Sequence, residues 1–321
     1  MRVLKKVEFT RAEAYAPATM ANLGVGFDVL GLAFQDPGDT VIAERADTPG
    51  VIIAAIEGDD GKLPLELERN TAGVAARSTL RLAGVGERVG VRLTIHKGLP
   101  RASGLGSSAA SAVAAALAVN ALLGEPLTRA ELLPACLDGE AVASGYHVDN
   151  IAPCLFGGIT LAYGIRAHEI VSLPIPDGLQ LALVTPNVEV ATREARAVLP
   201  TDVPLKAMVA QTAQIARLID AIYRGDIPAM AAAMEADGII EPARFHLMPK
   251  LAAARVVAKA AGAYGLVISG AGPTLCAVCA DAEVAARVAL ALGALYDDAG
   301  IGGVARCTPI SVNGARVLAV C

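Results

Sequence analysis

The chain has 321 residues and a net charge of −5, long enough for two domains and a sizeable core. Its 54% hydrophobic and 18% charged content excludes a disordered chain, which lacks the apolar surface needed to fold. With 3% aromatics, no tryptophan and an acidic balance, it also lacks the makings of a base-stacking nucleic-acid surface, so no nucleic-acid partner is expected.

The N-terminus, with Met1, Arg2, Lys5, Lys6, Glu8 and Arg11, shows no apolar signal-peptide core. The mean hydropathy of +0.52 invites a membrane reading, but no apolar run reaches the ~18–20 residues a span requires. The longest candidate, 109–123, is interrupted by Ser111 and Asn120. A cytoplasmic protein with no membrane partner is therefore expected. The six cysteines are scattered. Cys276 and Cys279 form a C-x-x-C within an apolar strand-like run, where positions three apart point to opposite faces. They are read as core residues, not metal ligands.

In chain order, 51–56 reads as a short strand. Val91, Leu93 and Ile95 alternate with polar neighbours, the mark of a half-buried strand. A loop over 97–106 leads into an Ala-rich helix over 107–123, closed by Gly124 and Pro126. A second helix runs from a Thr128 cap to about residue 143. A strand is expected over 156–163, with a domain boundary around 164–168. The second half restarts with a strand over 179–185. Helices follow near 192–198, 205–224, 228–236 and 249–261. A run at 265–269, a Gly-rich turn, a strand over 274–279, a helix near 283–292 and strands over 303–310 and 316–320 end the chain. Mixed strands and helices in both halves give an α+β fold, divided as 1–165 and 166–321.

The most informative segment is Pro100-Arg101-Ala102-Ser103-Gly104-Leu105-Gly106-Ser107-Ser108-Ala109-Ala110. It follows a strand and opens a helix, the context of a phosphate cradle. Glycines let backbone approach an anion, and the helix N-terminus offers unpaired N–H groups and a positive dipole end. It is neither a Walker A motif nor G-x-G-x-x-G. Taken alone it also fits a Gly-rich turn with serine caps.

P-x-x-x-G-L-G-S-S-A resembles the signature of the GHMP kinases. Two further segments resemble that family's other motifs: 17–28, PATMANLGVGFD, and 269–274, SGAGPT, a turn that in the family supports the phosphate loop. Within the family the detail resembles the homoserine kinases. This rests on Asn22 with Asp28, on His147-Val148-Asp149-Asn150 before Phe156-Gly157-Gly158, on Thr192-Arg193-Glu194-Ala195-Arg196, and on Glu241-Pro242-Ala243-Arg244. The resemblance implies ATP-dependent phosphorylation of L-homoserine with Mg²⁺, a step of threonine biosynthesis, by a homodimer. It also implies a fold: an N-terminal α+β domain of the ribosomal-protein type, a C-terminal ferredoxin-like domain, and the site between them.

Each candidate residue has a physical reading. Glu140 continues the apolar stripe Leu133, Cys136, Leu137, where a carboxylate needs a cation or donors. With the family it is read as a Mg²⁺ ligand beside Ser108; without it, as a carboxylate at the stripe's edge reaching water. Thr192 and Arg196 share a helical face. Arg196 and Arg244 together match a carboxylate, since guanidinium is a bidentate donor, although a lone arginine is usually a solvated charge. Asp28 suits the substrate ammonium, or is simply a turn residue. Asn22 and Asn150 suit the acceptor hydroxyl. His147 lines the same wall or is structural, His246 is equally ambiguous, and Asn70 is assigned to adenine by resemblance. Some GHMP kinases place a catalytic Asp where the homoserine kinases have Asn, here Asn150. An amide accepts no proton, so catalysis is expected to rest on alignment and charge stabilisation, without a strong base. Asp149 is the alternative base, ranked lower because adjacent residues usually face different ways. Two other functions compete: a mevalonate- or shikimate-type kinase, and a non-catalytic ATP-binding sensor.

Overall fold

The computed structural model describes residues 9–321; the lysines and Glu8 of the N-terminal reading lie outside the described residues, while Arg11 opens the first strand. The first sheet is built on β1 (Arg11–Ala21) and β2 (Leu30–Ala46), which pair antiparallel. β3 (Gly50–Glu57) and β4 (Gly90–His96) run parallel at one side, with β4 against β2. α1 (Thr71–Leu82) connects them, as a parallel pair requires. α2 (Ser107–Leu122), α3 (Arg129–Glu140) and α4 (Val148–Phe156) follow, then β5 (Ile159–Ala162), which pairs with the start of β2.

α2 is apolar around its whole circumference and buried from Ala109 to Leu122, as expected of a helix enclosed on all sides. Its small side chains let α1 and α3 approach closely. At Gly139, a Cβ would stand 2.6 Å from the Thr71 carbonyl oxygen and 2.9 Å from the Cβ atoms of Ala75 and Ala112. That approach carries the next residue, Glu140, to the start of α2. The helix expected to reach residue 143 ends at Glu140.

Beyond residue 165 the chain still contributes to this sheet. β6 (Ile170–Leu173) pairs with β5, and the last strand, β11 (Arg316–Val320), pairs with β1. The second sheet takes β7 (Gln180–Pro186), β8 (Gly265–Ile268), β9 (Leu275–Cys279) and β10 (Gly303–Thr308) in the order β10-β7-β9-β8, all antiparallel. With α9 (Leu251–Ala260) and α10 (Ala282–Asp298) packed on it, this is the β-α-β-β-α-β arrangement of a ferredoxin-like unit. Between β7 and α9 the chain adds α5 (Thr192–Ala197), α6 (Leu205–Arg224), α7 (Ile227–Met234) and α8 (Ile240–Arg244). Leu218, Ile222, Met230 and Met234 of α6 and α7 join the first core, while Leu251, Leu266, Val288 and Tyr296 belong to a second. Cys276 faces the first core and Cys279 the second, the opposite-face arrangement that kept them from sharing a metal. No helix among the described residues is long and apolar enough to cross a membrane.

Candidate active site

A cavity of about 400 Å³ lies where the two units meet. Its walls come from the loop before α2, the end of α3, the start of α4, the turn after β1, α5, Arg244 and the turn after β8. Leu63, Pro64 and Ile95 give it an apolar section.

The Gly-rich loop before α2 is pinned from behind by buried groups. Lys97 Nζ pairs with Asp39 and donates to the Ser107 carbonyl oxygen at 3.0 Å and to Ser111 Oγ at 2.8 Å. Asp39 Oδ1 accepts from the backbone N–H groups of Gly98 and Leu99 at 3.0 and 3.2 Å. Both side chains of this ion pair are essentially shielded from water. From the other side, Ser269 Oγ donates to the Gly104 carbonyl oxygen at 2.7 Å, and the Thr274 N–H to that of Ser103 at 3.1 Å. Gly106, in the left-handed region at φ 65°, caps α2. Ser107, Ser108 and Ala109 form the first turn, whose N–H groups have no intrahelical acceptor. The Ala110 N–H is already engaged, on the Gly106 carbonyl oxygen at 2.9 Å.

Of the predicted loop residues, Arg101, Ala102, Ser103, Gly104, Gly106, Ser107 and Ser108 line the cavity. Leu105, Ala109 and Ala110 point into the core, and Pro100 lines a neighbouring cleft. Asn70 lines the cavity but serves as the cap of α1: Oδ1 accepts from the Ala72 and Gly73 N–H groups at 3.0 and 3.2 Å, and Nδ2 donates to the Pro64 carbonyl oxygen at 2.9 Å. His246 is exposed and lies outside the cavity wall.

Glu140 is 3% exposed. Oε1 accepts from the Ser108 hydroxyl at 3.0 Å and the Ser144 hydroxyl at 2.6 Å, while Oε2 is buried with no hydrogen-bond partner among the described residues. Burial pushes its carboxyl up to about 7 against the pull of the two serine hydroxyls. An orphaned buried carboxylate oxygen beside a serine hydroxyl, at the mouth of a helix N-terminus, fits a hard divalent cation such as Mg²⁺.

A second cluster carries both signs of charge. Arg196 holds Asp28 by two contacts, at 2.7 and 3.1 Å, and also donates to His147 Nδ1 at 3.2 Å. Guanidinium only donates, so His147 Nδ1 is unprotonated here; burial and the Arg196 charge hold its pKa below the usual range. Arg244 is 3% exposed and donates to the carbonyl oxygens of Ala195 and Gly270, both at 2.9 Å. Both guanidiniums lie over the Phe27 ring, at 5.4 and 5.3 Å from its centroid. Burial and the Arg196 charge bring the Arg244 pKa down to about 10. Two cations crowded together in this way are suited to pair with an anion such as a carboxylate. Asn22 braces the cluster: Nδ2 donates to the Gly270 carbonyl oxygen at 3.0 Å and Oδ1 accepts from the Asp28 N–H at 3.1 Å. Thr192 lines the same wall.

Asp149 and Asn150 both line the cavity. Consecutive helical residues separate by ~100°, and that angle still leaves both beside the cavity. Asp149 is buried, and burial with the charges of Asp28 and Glu140 pushes its carboxyl up to about 7. Lys97, Ser144 and Phe27 also line the cavity, and Asp39 and Thr19 contact its lining from behind; sequence reasoning did not single them out.

Comparison with known proteins decides the family. The GHMP kinases N terminal domain matches residues 70–158, and the GHMP kinases C terminal family matches 218–298. The homoserine kinase of Xylella fastidiosa (strain 9a5c) is 43% identical over 309 residues, covering 96% of this chain and 94% of that one. The chain belongs to the homoserine kinases of the GHMP kinase family. The Arabidopsis thaliana homoserine kinase is 43% identical over 275 residues, 84% of this chain and 74% of that one. In structure, the homoserine kinase from Cytophaga hutchinsonii ATCC 33406 superposes with a TM-score of 0.91 at 36% identity, covering 99% and 100% of the two chains. Membership confirms the two-domain GHMP kinase fold and a kinase enzyme.

Proposed function

We propose that this homoserine kinase transfers the γ-phosphoryl group of ATP to the side-chain hydroxyl of L-homoserine, giving O-phospho-L-homoserine for threonine biosynthesis. The observation that carries it is the two-signed cluster at the acceptor end: Asp28 pairs with Arg196, and Arg244 lies over the neighbouring Phe27 ring. An amino acid needs an anion for its ammonium and cations for its carboxylate; mevalonate has no ammonium, and shikimate neither.

The chain's residues divide the work. Arg196 and Arg244 take the carboxylate, Asp28 the ammonium, and Asn22, His147 and Thr192 complete the pocket. The first turn of α2 and the loop N–H groups hold the phosphates in line with the hydroxyl. Ser108 and Glu140 would hold Mg²⁺, which when bound neutralises phosphate charge. Asn150 accepts no proton, and a loose phosphoryl-transfer transition state needs little base assistance. Asp149 supports a second reading, as general base, because it lines the cavity with its carboxyl pushed up to about 7. Asp149→Asn against Asn150→Ala separates the two: loss of kcat with intact KM in Asp149→Asn alone favours the base. The reading also takes the protein as a cytoplasmic homodimer, checked by sedimentation. ADP release measured with L-homoserine, mevalonate, galactose and shikimate tests the whole; no turnover of homoserine overturns it.

A further inference from the structure

Thr19 connects two parts of the site. Its side chain is fully buried, and its hydroxyl donates to Asn150 Oδ1 at 2.7 Å. Its backbone N–H leaves the sheet and donates to the Leu105 carbonyl oxygen of the phosphate loop at 3.0 Å. This edge of β1 is free for the loop because β11 pairs with it only as far as Tyr15, and the β1–β2 register shifts nearby, between Pro17 and Thr19. The fit is close: a Cβ on Gly106 would stand 2.0 Å from Thr19 Oγ1 and 3.0 Å from Asn150 Oδ1.

A carboxamide has an accepting end and a donating end. With Oδ1 held by the Thr19 hydroxyl, Nδ2 is the end left for the cavity that Asn150 lines. We propose that Thr19 is a positioning residue: it turns the Asn150 amide so that its NH₂ faces the reacting groups, and keeps that amide in register with the phosphate loop. Asn150 then donates to the acceptor hydroxyl oxygen or to an oxygen of the transferring phosphoryl group. The same bond makes the amide's orientation, and not only its presence, part of the alignment. This inference rests on the reading of the chain as a kinase acting on homoserine.

The test is steady-state kinetics on Thr19→Ser, Thr19→Cys and Thr19→Val. Serine keeps the donor, cysteine donates weakly and valine keeps the shape without a hydroxyl. The expected result is kcat falling in the order Ser, Cys, Val, by about 10–100-fold for Val, since small misplacements cost up to ~10²-fold. KM for ATP stays within about twofold. In the double variant Thr19→Val/Asn150→Ala, kcat equals that of Asn150→Ala alone, because the threonine acts only through the amide. Additive losses, an unchanged kcat in Thr19→Val, or equal losses in all three variants would overturn the proposal. If valine prevents folding, the serine–cysteine difference and the Thr19→Cys/Asn150→Ala double variant decide it. The wild-type enzyme run with homoserine is the control, and its inactivity would refute the kinase reading itself and the positioning role with it.

Discussion

Asp28 and Arg196 face each other in a two-point ion pair, at 2.7 and 3.1 Å, inside the cavity that Arg244 also lines. The two charges satisfy each other in the free protein. A zwitterionic amino acid carries the same two charges in complementary positions, so on the proposed reading its ammonium would take over Asp28 and its carboxylate the arginines. Binding of that kind would exchange one ion pair for two.

Arg196→Lys is expected to raise KM for homoserine by about 10²-fold, because a point charge cannot reproduce a bidentate fork. KM for ATP stays near its wild-type value. Initial-rate kinetics with each substrate varied in turn checks the split; a parallel rise in both would contradict it.

Glu140→Gln removes the carboxylate charge while keeping its shape and its contacts with Ser108 and Ser144. The expected result is a fall in kcat of about 10²-fold or more, with Mg²⁺ affinity in the presence of ADP lost in calorimetry. The fold is retained, since the orphaned buried oxygen is no longer a charge.

The buried Asp39–Lys97 pair gives a stability prediction. Lys97→Met leaves Asp39 without its cation, and breaking such a pair costs roughly 3–5 kcal/mol. Denaturant melts should show that loss, and Asp39→Asn combined with Lys97→Met should recover part of it.

Gly139→Val is expected to lower stability by about 1–3 kcal/mol, the range for overpacking. The side chain would strike Thr71, Ala75 and Ala112. It also moves Glu140 from Ser108, so activity falls further than stability alone predicts.

Asp149 sets a pH dependence. Its ordinary pKa is 3.8 and its folded one about 7, so the folded state binds more protons across that window. Stability therefore falls as pH rises from about 4 to about 7 and is level above. Asp149→Asn removes this term: its Tm relative to wild type should be higher at about pH 8 than at about pH 5. An equal offset at both values would refute the assignment.

The sequence was most legible where one periodicity ran long. The helix expected over 205–224 is found as Leu205–Arg224, and the Ala-rich helix starts at Ser107. The N-terminal part reads as strand-rich, but β1 and β2 have no legible bounds, because small residues and Pro17 blur their alternation and Asp36-Pro37-Gly38 looks like a turn inside a continuous strand. α4 was missed for its internal Pro153. In the site, residues carried on contiguous motifs could be read directly. Their supports could not: Thr19 and Asn150 lie 131 residues apart, and Asp39 and Lys97 58 apart. Such pairings are products of the folded sheet and leave no local pattern.

β11 has a consequence for how the molecule is made. It supplies the outer edge of the sheet that begins with β1, and Arg129 fastens the chain just before it by bonds of 2.6 Å to the carbonyl oxygens of Asn313 and Ala315. A nascent chain on the ribosome can therefore assemble the first sheet only in part until residues 316–320 have been made. The β1 edge thus stays open until the strands of the second sheet have also been synthesised.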